Sequence, residues 1–233
     1  MVNPLSWATT EAFTLLGQHV TWAELFGNAF ALSALWLAVA RSIWVWPVQL
    51  AGNVLLFAVL VNASLGGNAA RQVMFAVLSV YGWWRWSRRS RDGAGADRAA
   101  GGVQVRYATG RERWLLLAAM LVGTAVMAGV LHVTDSSWSP LPDAYIFVGS
   151  AVATYAQGRG LVEFWWIWIA VDLVGVPLAA ASGLLVFAAV YAVFFVSCLV
   201  GIRDWHRRAR AGRPAVALAV GPADAITEGG ERR

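Results

Sequence analysis

The chain has 233 residues, of which 59% are hydrophobic and only 13% are charged. A soluble domain usually carries about 25% charged residues, so the composition excludes an ordinary soluble protein and indicates one that spans a membrane. The net charge of +5 comes from arginines that flank apolar runs, which argues against a nucleic-acid-binding surface. The chain has no lysine, so it carries neither an ATP-binding P-loop nor a retinal Schiff base.

Cysteine and histidine usage points away from catalysis and from a bound cofactor. The single cysteine, Cys198, lies inside an apolar run and cannot form an intramolecular disulfide. The three histidines are far apart and lie at or beyond the ends of apolar runs, so they share no metal-ligand spacing. An intramembrane serine protease would need a histidine at membrane depth. We therefore expect no metal, no cofactor and no enzyme.

Seven apolar runs are long enough to cross a bilayer, which takes about 20 residues. The predicted spans are 22–40, 43–62, 67–84, 113–132, 144–158, 163–181 and 183–202. The polar stretch 1–21 precedes them as an N-terminal extracellular segment. Residues 87–111, rich in Arg, Gly, Ala and Asp, predict a solvated cytoplasmic loop, and 206–233 predict a disordered cytoplasmic tail.

The distribution of arginine sets the predicted orientation. With seven spans, all 18 basic residues except Arg71 fall on one side of the membrane. The positive-inside rule then places the N-terminus outside and the C-terminus in the cytoplasm of a multi-pass plasma membrane protein.

An internal repeat appears when the sequence is shifted by 119 positions. The shift superimposes the segment 22–86 on 141–205 without a gap and leaves 112–132 as a linking helix. Superimposed pairs include Trp46 with Trp165, Asn53 with Asp172, Gly82 with Gly201, and Trp86 with Trp205. Three spans and one linking span restore the chain direction, so the sequence predicts an all-α, SWEET-like 3+1+3 parallel repeat with a site between the halves.

Polar residues near the middle of two superimposed spans mark the candidate site. An acid such as Asp172 is costly inside a bilayer, about 2.5–3.5 kcal/mol, so it suggests function. Asn53 lies at the same depth of the second span. Trp46 and Trp165 each lie seven residues earlier, on the same helix face, and Gln49 and Trp168 lie between.

These residues, with Trp166, predict a pocket that stacks a flat ring and fixes it with a few polar groups. Asn53 could instead hold helices together. Glu163, in the first turn of its span, suits either the helix dipole or the site. Gln72 and Tyr81 are candidate gate or site residues. Tryptophans at span ends, Trp86 and Trp205 among them, are predicted to form an interfacial belt.

Two motifs resemble the PnuC family of nicotinamide mononucleotide or nicotinamide riboside transporters. Residues 81–86 read Tyr-Gly-Trp-Trp-Arg-Trp, similar to the family's Tyr-Gly-Trp-x-x-Trp. Residues 163–168 read Glu-Phe-Trp-Trp-Ile-Trp and are followed by Asp172, similar to its Glu-Asn-Trp-x-x-Trp-x-x-x-Asn. Ser150, a further candidate gate or site residue, and Arg159 also fall on family positions.

The resemblance implies a seven-helix carrier that lets a vitamin nucleoside, first of all nicotinamide riboside, cross by facilitated diffusion with alternating access. It also implies site roles for Asn53, Glu163, Trp165, Trp168 and Asp172. Three positions depart from the family: Gly160 replaces a common Lys, Phe164 an Asn, and Asp172 an Asn. These departures affect the ligand more than the fold.

Other functions stay open from the sequence. The segments 155–160 and 171–177 resemble the actinobacterial riboflavin-transporting branch, so riboflavin is the alternative ligand and thiamine a lesser one. A membrane receptor or scaffold is the alternative outside transport. The expected partners are a small vitamin and the lipid bilayer, with no nucleic acid, and homo-oligomerisation stays open.

Overall fold

The computed structural model describes residues 6–15, 18–62, 66–92, 103–181 and 185–211. The described N-terminal part forms a 3₁₀ turn, Ser6–Thr9, and an antiparallel hairpin of β1 (Glu11–Leu15) and β2 (Gln18–Thr21). This small unit contacts the start of the first helix. It lies within the stretch predicted as an extracellular N-terminal segment.

Seven helices follow, and each overlaps one of the seven predicted spans. They are α1 (Trp22–Val39), α2 (Val45–Asn62), α3 (Gly66–Asp92), α4 (Gly110–Val133), α5 (Pro140–Gly158), α6 (Glu163–Ala181) and α7 (Leu185–Ala211). The prediction of an all-helical, seven-helix architecture is confirmed.

Local sequence signals explain where α4 and α5 begin. Thr109 accepts a hydrogen bond from the backbone of Glu112, and Glu112 accepts one from the backbone of Thr109, which is a capping box. Pro140 lies in the first turn of α5, where its missing N–H costs nothing. α5 therefore begins four residues before the predicted span 144–158.

The helices form two groups of three, α1–α3 and α5–α7. Within each group, consecutive helices pack on one another, and the groups meet where α3 contacts α5 and where α1 contacts α7. α4 packs against α5. We call the end where α1, α3, α5 and α7 finish the basic end, because the described arginines other than Arg71 lie in or beside its turns and helix ends.

The basic end differs from the predicted solvated loop at 87–111. α3 continues as a helix to Asp92, and residues 103–109 pack against the ends of both groups, while the intervening 93–102 lie outside the described residues. Val103 donates from its backbone to the Arg41 carbonyl (3.4 Å). Arg106 donates to the Gly160 carbonyl (3.0 Å) and accepts from Val162 (3.0 Å). These backbone bonds replace solvent contacts and order the segment.

Of the predicted tail, the part up to Ala211 continues α7, and the rest lies outside the described residues.

Two described helices, α4 and α6, are long and apolar enough to span a bilayer, with mean hydropathies of 2.2 and 1.7. The apolar stretches Leu25–Val39 and Val45–Val61 are shorter. On α4, the side chains of Leu121 and Val122 are each 64% exposed. A continuous apolar surface of this kind is suited to contact with lipid.

Candidate functional site

A cavity of about 210 Å³ lies between the two helix groups, and all six of their helices contribute to its wall. Five aromatic rings line it: Phe30, Phe75, Phe164, Trp168 and Phe194. Four side-chain amides line it as well: Gln49, Asn53, Gln72 and Gln157. Arg71 is the one charged side chain among the described residues of the wall. The cavity can therefore stack a flat ring and bond its polar edge.

Three of the four amides have hydrogen-bonding capacity left for a ligand. Gln72 and Gln157 are only 6% and 5% exposed, and their side-chain amides have no partner among the described residues. The buried Gln49 Oε1 also has no hydrogen-bond partner in the part of the chain that the structure describes. Asn53 Nδ2 lies 3.5 Å from the Ser79 hydroxyl. Because buried polar groups in proteins are almost always bonded, these amides are suited to the polar edge of a bound molecule.

Trp46 and Trp165 do not line this cavity. Both are fully buried near the basic end, where each ring lies against a glycine. A Cβ on Gly82 would lie 2.3 Å from the Trp46 ring, and a Cβ on Gly201 would lie 2.4 Å from the Trp165 ring. Only glycine permits this approach, so both tryptophans fix helix positions below the cavity.

Trp86 and Trp205 bond the two helix groups to each other. The indole N–H of Trp86 donates to the Gln157 carbonyl on α5 (3.2 Å), and that of Trp205 donates to the Ala38 carbonyl on α1 (3.1 Å). Both rings are fully buried, so the interfacial-belt prediction is wrong for these two residues.

The belt prediction failed because each indole finds a carbonyl partner inside the bundle rather than at its surface. The two cross-group hydrogen bonds close the cavity at the basic end. The repeated spacing of these tryptophans from Gly82 and Gly201 was a sequence signal that could have identified them as buried residues.

Asp172 lies behind the wall of the cavity rather than on it. The residue is 1% exposed, and its Oδ2 is 3.9 Å from Cys198 Sγ. Cys198 itself lines the cavity, so the thiol stands between the carboxylate and the open space. Asn53 and Ser79 form the corresponding pair in the first group, at the positions 119 residues earlier.

The remaining candidates of the α6 motif separate by helix face. Trp168 lines the cavity, whereas Trp166 is 56% exposed on the outside of the bundle. Glu163 pairs with Arg113 (2.9 Å) and accepts from the Ala108 backbone (2.8 Å), so it anchors the segment before α4. Phe164, which the sequence marked only as a family departure, is part of the wall.

The gate candidates also occupy different places. Gln72 lines the cavity. Tyr81 stacks on Tyr155 (5.5 Å between ring centroids) where α3 meets α5. The Ser150 hydroxyl donates to the Ile146 carbonyl of its own helix (2.7 Å). Of the sequence-predicted set, the structure brings Gln49, Asn53, Gln72 and Trp168 together at the cavity. Gln157 and Phe164 also line it and were missed, because their places depend on contacts between helices that are far apart in the chain.

Comparison with known proteins gives consistent matches along most of the chain. The family described as nicotinamide mononucleotide transporter matches residues 21–207. The riboflavin/roseoflavin transporter RibM of Streptomyces davaonensis is 44% identical over 208 residues, which cover 88% of this chain and 94% of that protein. The nicotinamide riboside transporter PnuC of Escherichia coli is 25% identical, covering 83% of this chain and 89% of its own length.

A solved structure has the same fold. The crystal structure of the vitamin B3 transporter PnuC superimposes with a TM-score of 0.65 at 20% identity, covering 82% of this chain and 83% of that one. Together with the match over residues 21–207, this shows that the chain belongs to the nicotinamide mononucleotide transporter family, as its two tryptophan motifs suggested.

Proposed function

We propose that the protein is a vitamin transporter of the cytoplasmic membrane and that its substrate is riboflavin. The observation that carries the proposal is the cavity wall: five aromatic rings, four amides and, among its described residues, no carboxylate. Riboflavin offers a neutral tricyclic ring for stacking and an imide edge that both donates and accepts hydrogen bonds. The 44% identity to a riboflavin/roseoflavin transporter supports the same ligand.

Nicotinamide riboside, the first expectation from the sequence, is the second candidate. The 25% identity to nicotinamide riboside transporters and the presence of Asp172 favour it. Its ring carries a fixed positive charge. The Asp172 carboxylate that would attract this charge lies behind Cys198, and the charged group on the wall is the cation Arg71. Coulomb interaction with the wall therefore disfavours the cation.

Transport follows from motion of the two helix groups about the cavity. We infer a SWEET-like 3+1+3 parallel repeat in which α4 links the groups, with the N-terminus outside and the basic end in the cytoplasm. The Trp46–Gly82 and Trp165–Gly201 contacts, separated by the same 119 positions, support the repeat. In this orientation the structure is closed toward the cytoplasm, and the exposed Arg71 lies at the outer mouth of the cavity.

Inward opening then requires the Trp86 and Trp205 hydrogen bonds across the groups to break. Among the described residues, the cavity wall offers no carboxylate or other group that would hold an ion, and we propose facilitated diffusion. A reporter fused after residue 213 tests the orientation, since an external reporter contradicts it.

Uptake of labelled riboflavin into proteoliposomes tests the substrate. We expect saturable entry that excess unlabelled riboflavin inhibits and that excess nicotinamide riboside leaves unchanged. Inhibition by nicotinamide riboside alone would establish the second candidate instead. Entry of neither vitamin would contradict transport of both and favour a receptor or scaffold. Energy-depleted vesicles should still equilibrate riboflavin, whereas a strict need for a proton or sodium gradient would refute facilitated diffusion.

A further inference from the structure

A cluster of four arginines lies at the basic end, outside the central cavity. Arg85 and Arg89 belong to the end of α3, Arg159 follows α5, and Arg106 precedes α4. Arg106 binds Glu112 through two guanidinium nitrogens (2.6 and 2.7 Å), and Arg159 binds the same carboxylate (2.5 Å). One carboxylate is thus shared by two arginines, so positive charge is in excess.

Arg89 lies among these positive charges and pairs with no carboxylate among the described residues. Its guanidinium donates to the Arg159 carbonyl (2.9 Å), a neutral acceptor. Burial, followed by the neighbouring charges of Arg85, Arg106 and Arg159, lowers the pKa of Arg89. The equivalent place on α7 is different, because the shift of 119 puts Asp204 at the position of Arg85, and Asp204 binds Arg208, the counterpart of Arg89 (2.6 Å). At these two positions the α3 copy has two arginines and no acid.

Two donors of the cluster are buried and unpaired. The Nε atoms of Arg85 and Arg159 have no hydrogen-bond partner among the described residues. A buried donor without a partner is rare and destabilising, above all on a charged group. The cluster therefore has both the charge and the free donors to bind an anion.

An apolar groove of about 260 Å³ leads from this cluster along the outside of the bundle. It runs between α4 and α5, and Tyr155 and Arg159 line it together with Glu112. Its apolar wall consists of Leu115, Leu116, Ala119, Ala151, Val152 and Leu161. Leu115 is 59% exposed there, so the groove is open to the surrounding lipid.

We propose that this groove and the arginine cluster bind one anionic phospholipid. The phosphodiester lies against the guanidinium groups of Arg85 and Arg159, and an acyl chain fills the groove between α4 and α5. An acyl chain matches the apolar wall, and a phosphate matches the excess positive charge at its end. A free phosphate would satisfy the arginines but leave the groove empty. The bound lipid also bridges α3 and α4, which have few direct contacts with each other.

The binding test uses purified full-length protein in detergent and native mass spectrometry. We expect bound phosphatidylglycerol to exceed bound phosphatidylcholine of the same acyl chains. The double variant Arg85→Gln/Arg159→Gln should weaken phosphatidylglycerol binding about tenfold or more, since each arginine near an anionic lipid contributes about 1 kcal/mol. The matched control is Arg203→Gln/Arg207→Gln, which removes two exposed arginines from the same end and should leave binding unchanged.

A second pair of variants tests the groove without altering charge. Ala119→Trp should fill the groove and reduce phosphatidylglycerol binding, whereas Ala118→Trp, at the next exposed position of α4, should not. Thermal unfolding with added lipid provides a parallel measurement, because a ligand of the folded state raises the Tm.

The proposal is overturned if both phospholipids bind equally, or if the Arg203/Arg207 control loses as much binding as the double variant. It is also overturned if inorganic phosphate or glycerol phosphate raises the Tm as much as phosphatidylglycerol does. That result would show a soluble anion at the arginines and no role for the groove.

Discussion

In both helix groups a tryptophan ring packs on a glycine near the basic end, with a second tryptophan edge-on to it. The ring centroids of Trp46 and Trp86 are 5.3 Å apart at 90°, and those of Trp165 and Trp205 are 5.8 Å apart at 87°. At the depth of the cavity the groups differ. The first group has an amide beside a hydroxyl, Asn53 and Ser79, where the second has a carboxylate beside a thiol.

This comparison distinguishes the contacts that hold the helices together from the residues that bind the substrate. Contacts that both groups make hold the helices and close the basic end, and such contacts suit a fold built from two similar halves. A flat vitamin has no matching symmetry, so the residues that bind it need not be the same in both groups. The aromatic and amide residues of the cavity are accordingly unequal between the groups. Each of the following experiments compares the two groups.

The largest effect is expected from filling the space that the glycines leave. Gly82→Ala and Gly201→Ala would each drive a methyl group into a tryptophan ring, since the Cβ would lie 2.3 or 2.4 Å from it. We expect each change to reduce stability by about 1–3 kcal/mol. Both the Tm measured in detergent and the rate of riboflavin uptake should fall.

Gly129→Ala on α4 is the matched control, because nothing lies within 4 Å of its Cβ position. An unchanged or raised Tm is expected there, since alanine favours a helix more than glycine does. If Gly82→Ala tolerates heat as well as this control, the packing of Trp46 is not as described.

A smaller effect is expected from the cavity amides, and it should appear in binding rather than stability. Gln72→Leu and Gln157→Leu keep the volume of the side chain and remove its polar groups. Each should raise the KM for riboflavin, and together by about tenfold, because a hydrogen bond contributes about 0.5–1.5 kcal/mol. Trp166→Leu, on the outer face of α6, should leave the KM unchanged. If Trp166→Leu raises the KM as much as Gln72→Leu and Gln157→Leu do, the two amides do not bind the substrate.

Loss of the hydrogen bonds across the groups should shift the carrier toward inward opening. Trp86→Phe and Trp205→Phe keep an aromatic ring and remove the N–H that binds the opposite group, about 0.5–1.5 kcal/mol each. Cys198 is the only cysteine and lines the cavity, so it reports access directly. Its labelling by a thiol reagent from the basic side should rise up to about tenfold. Trp114→Phe, 72% exposed on α4, should not change it.

The seven helices could be predicted because an apolar run marks each of them, although among the described helices only α4 and α6 are both long and apolar enough to span a bilayer. Which residues are buried at the basic end could not be predicted, because burial there depends on contacts between segments far apart in the chain. The composition of residues 103–109 predicts a solvated loop, yet backbone hydrogen bonds to both helix groups order this segment. The same holds for Gln157, whose place in the cavity depends on how the groups meet.

Of the residues predicted for the site, only Gln49, Asn53, Gln72 and Trp168 line the cavity, and the others lie elsewhere in the bundle. Trp46 and Asn53 share a face of α2, as their spacing of seven predicted. Seven residues also span about 10 Å along a helix, so Trp46 lies at the basic end while Asn53 reaches the cavity. Trp168 lies one turn deeper than Trp165 and lines the cavity for the same reason. Trp166 is one residue off this face and points outward.

The smallest effect is expected at the position where the two groups differ most in charge. Asp172→Asn gives the second group the residue that Asn53 supplies in the first, with nearly the same shape. Because the carboxylate lies behind Cys198 and riboflavin is neutral, we expect the KM for riboflavin to change by less than about twofold, under 0.5 kcal/mol. A cationic substrate would respond differently, with a loss of about tenfold for 1.4 kcal/mol of lost attraction.

Competition uptake in proteoliposomes measures both outcomes in one assay, with Asn53→Asp as the reciprocal control. A tenfold loss of riboflavin uptake in Asp172→Asn, with normal folding, would show that the carboxylate reaches the substrate and that the charge of the second group is part of the site.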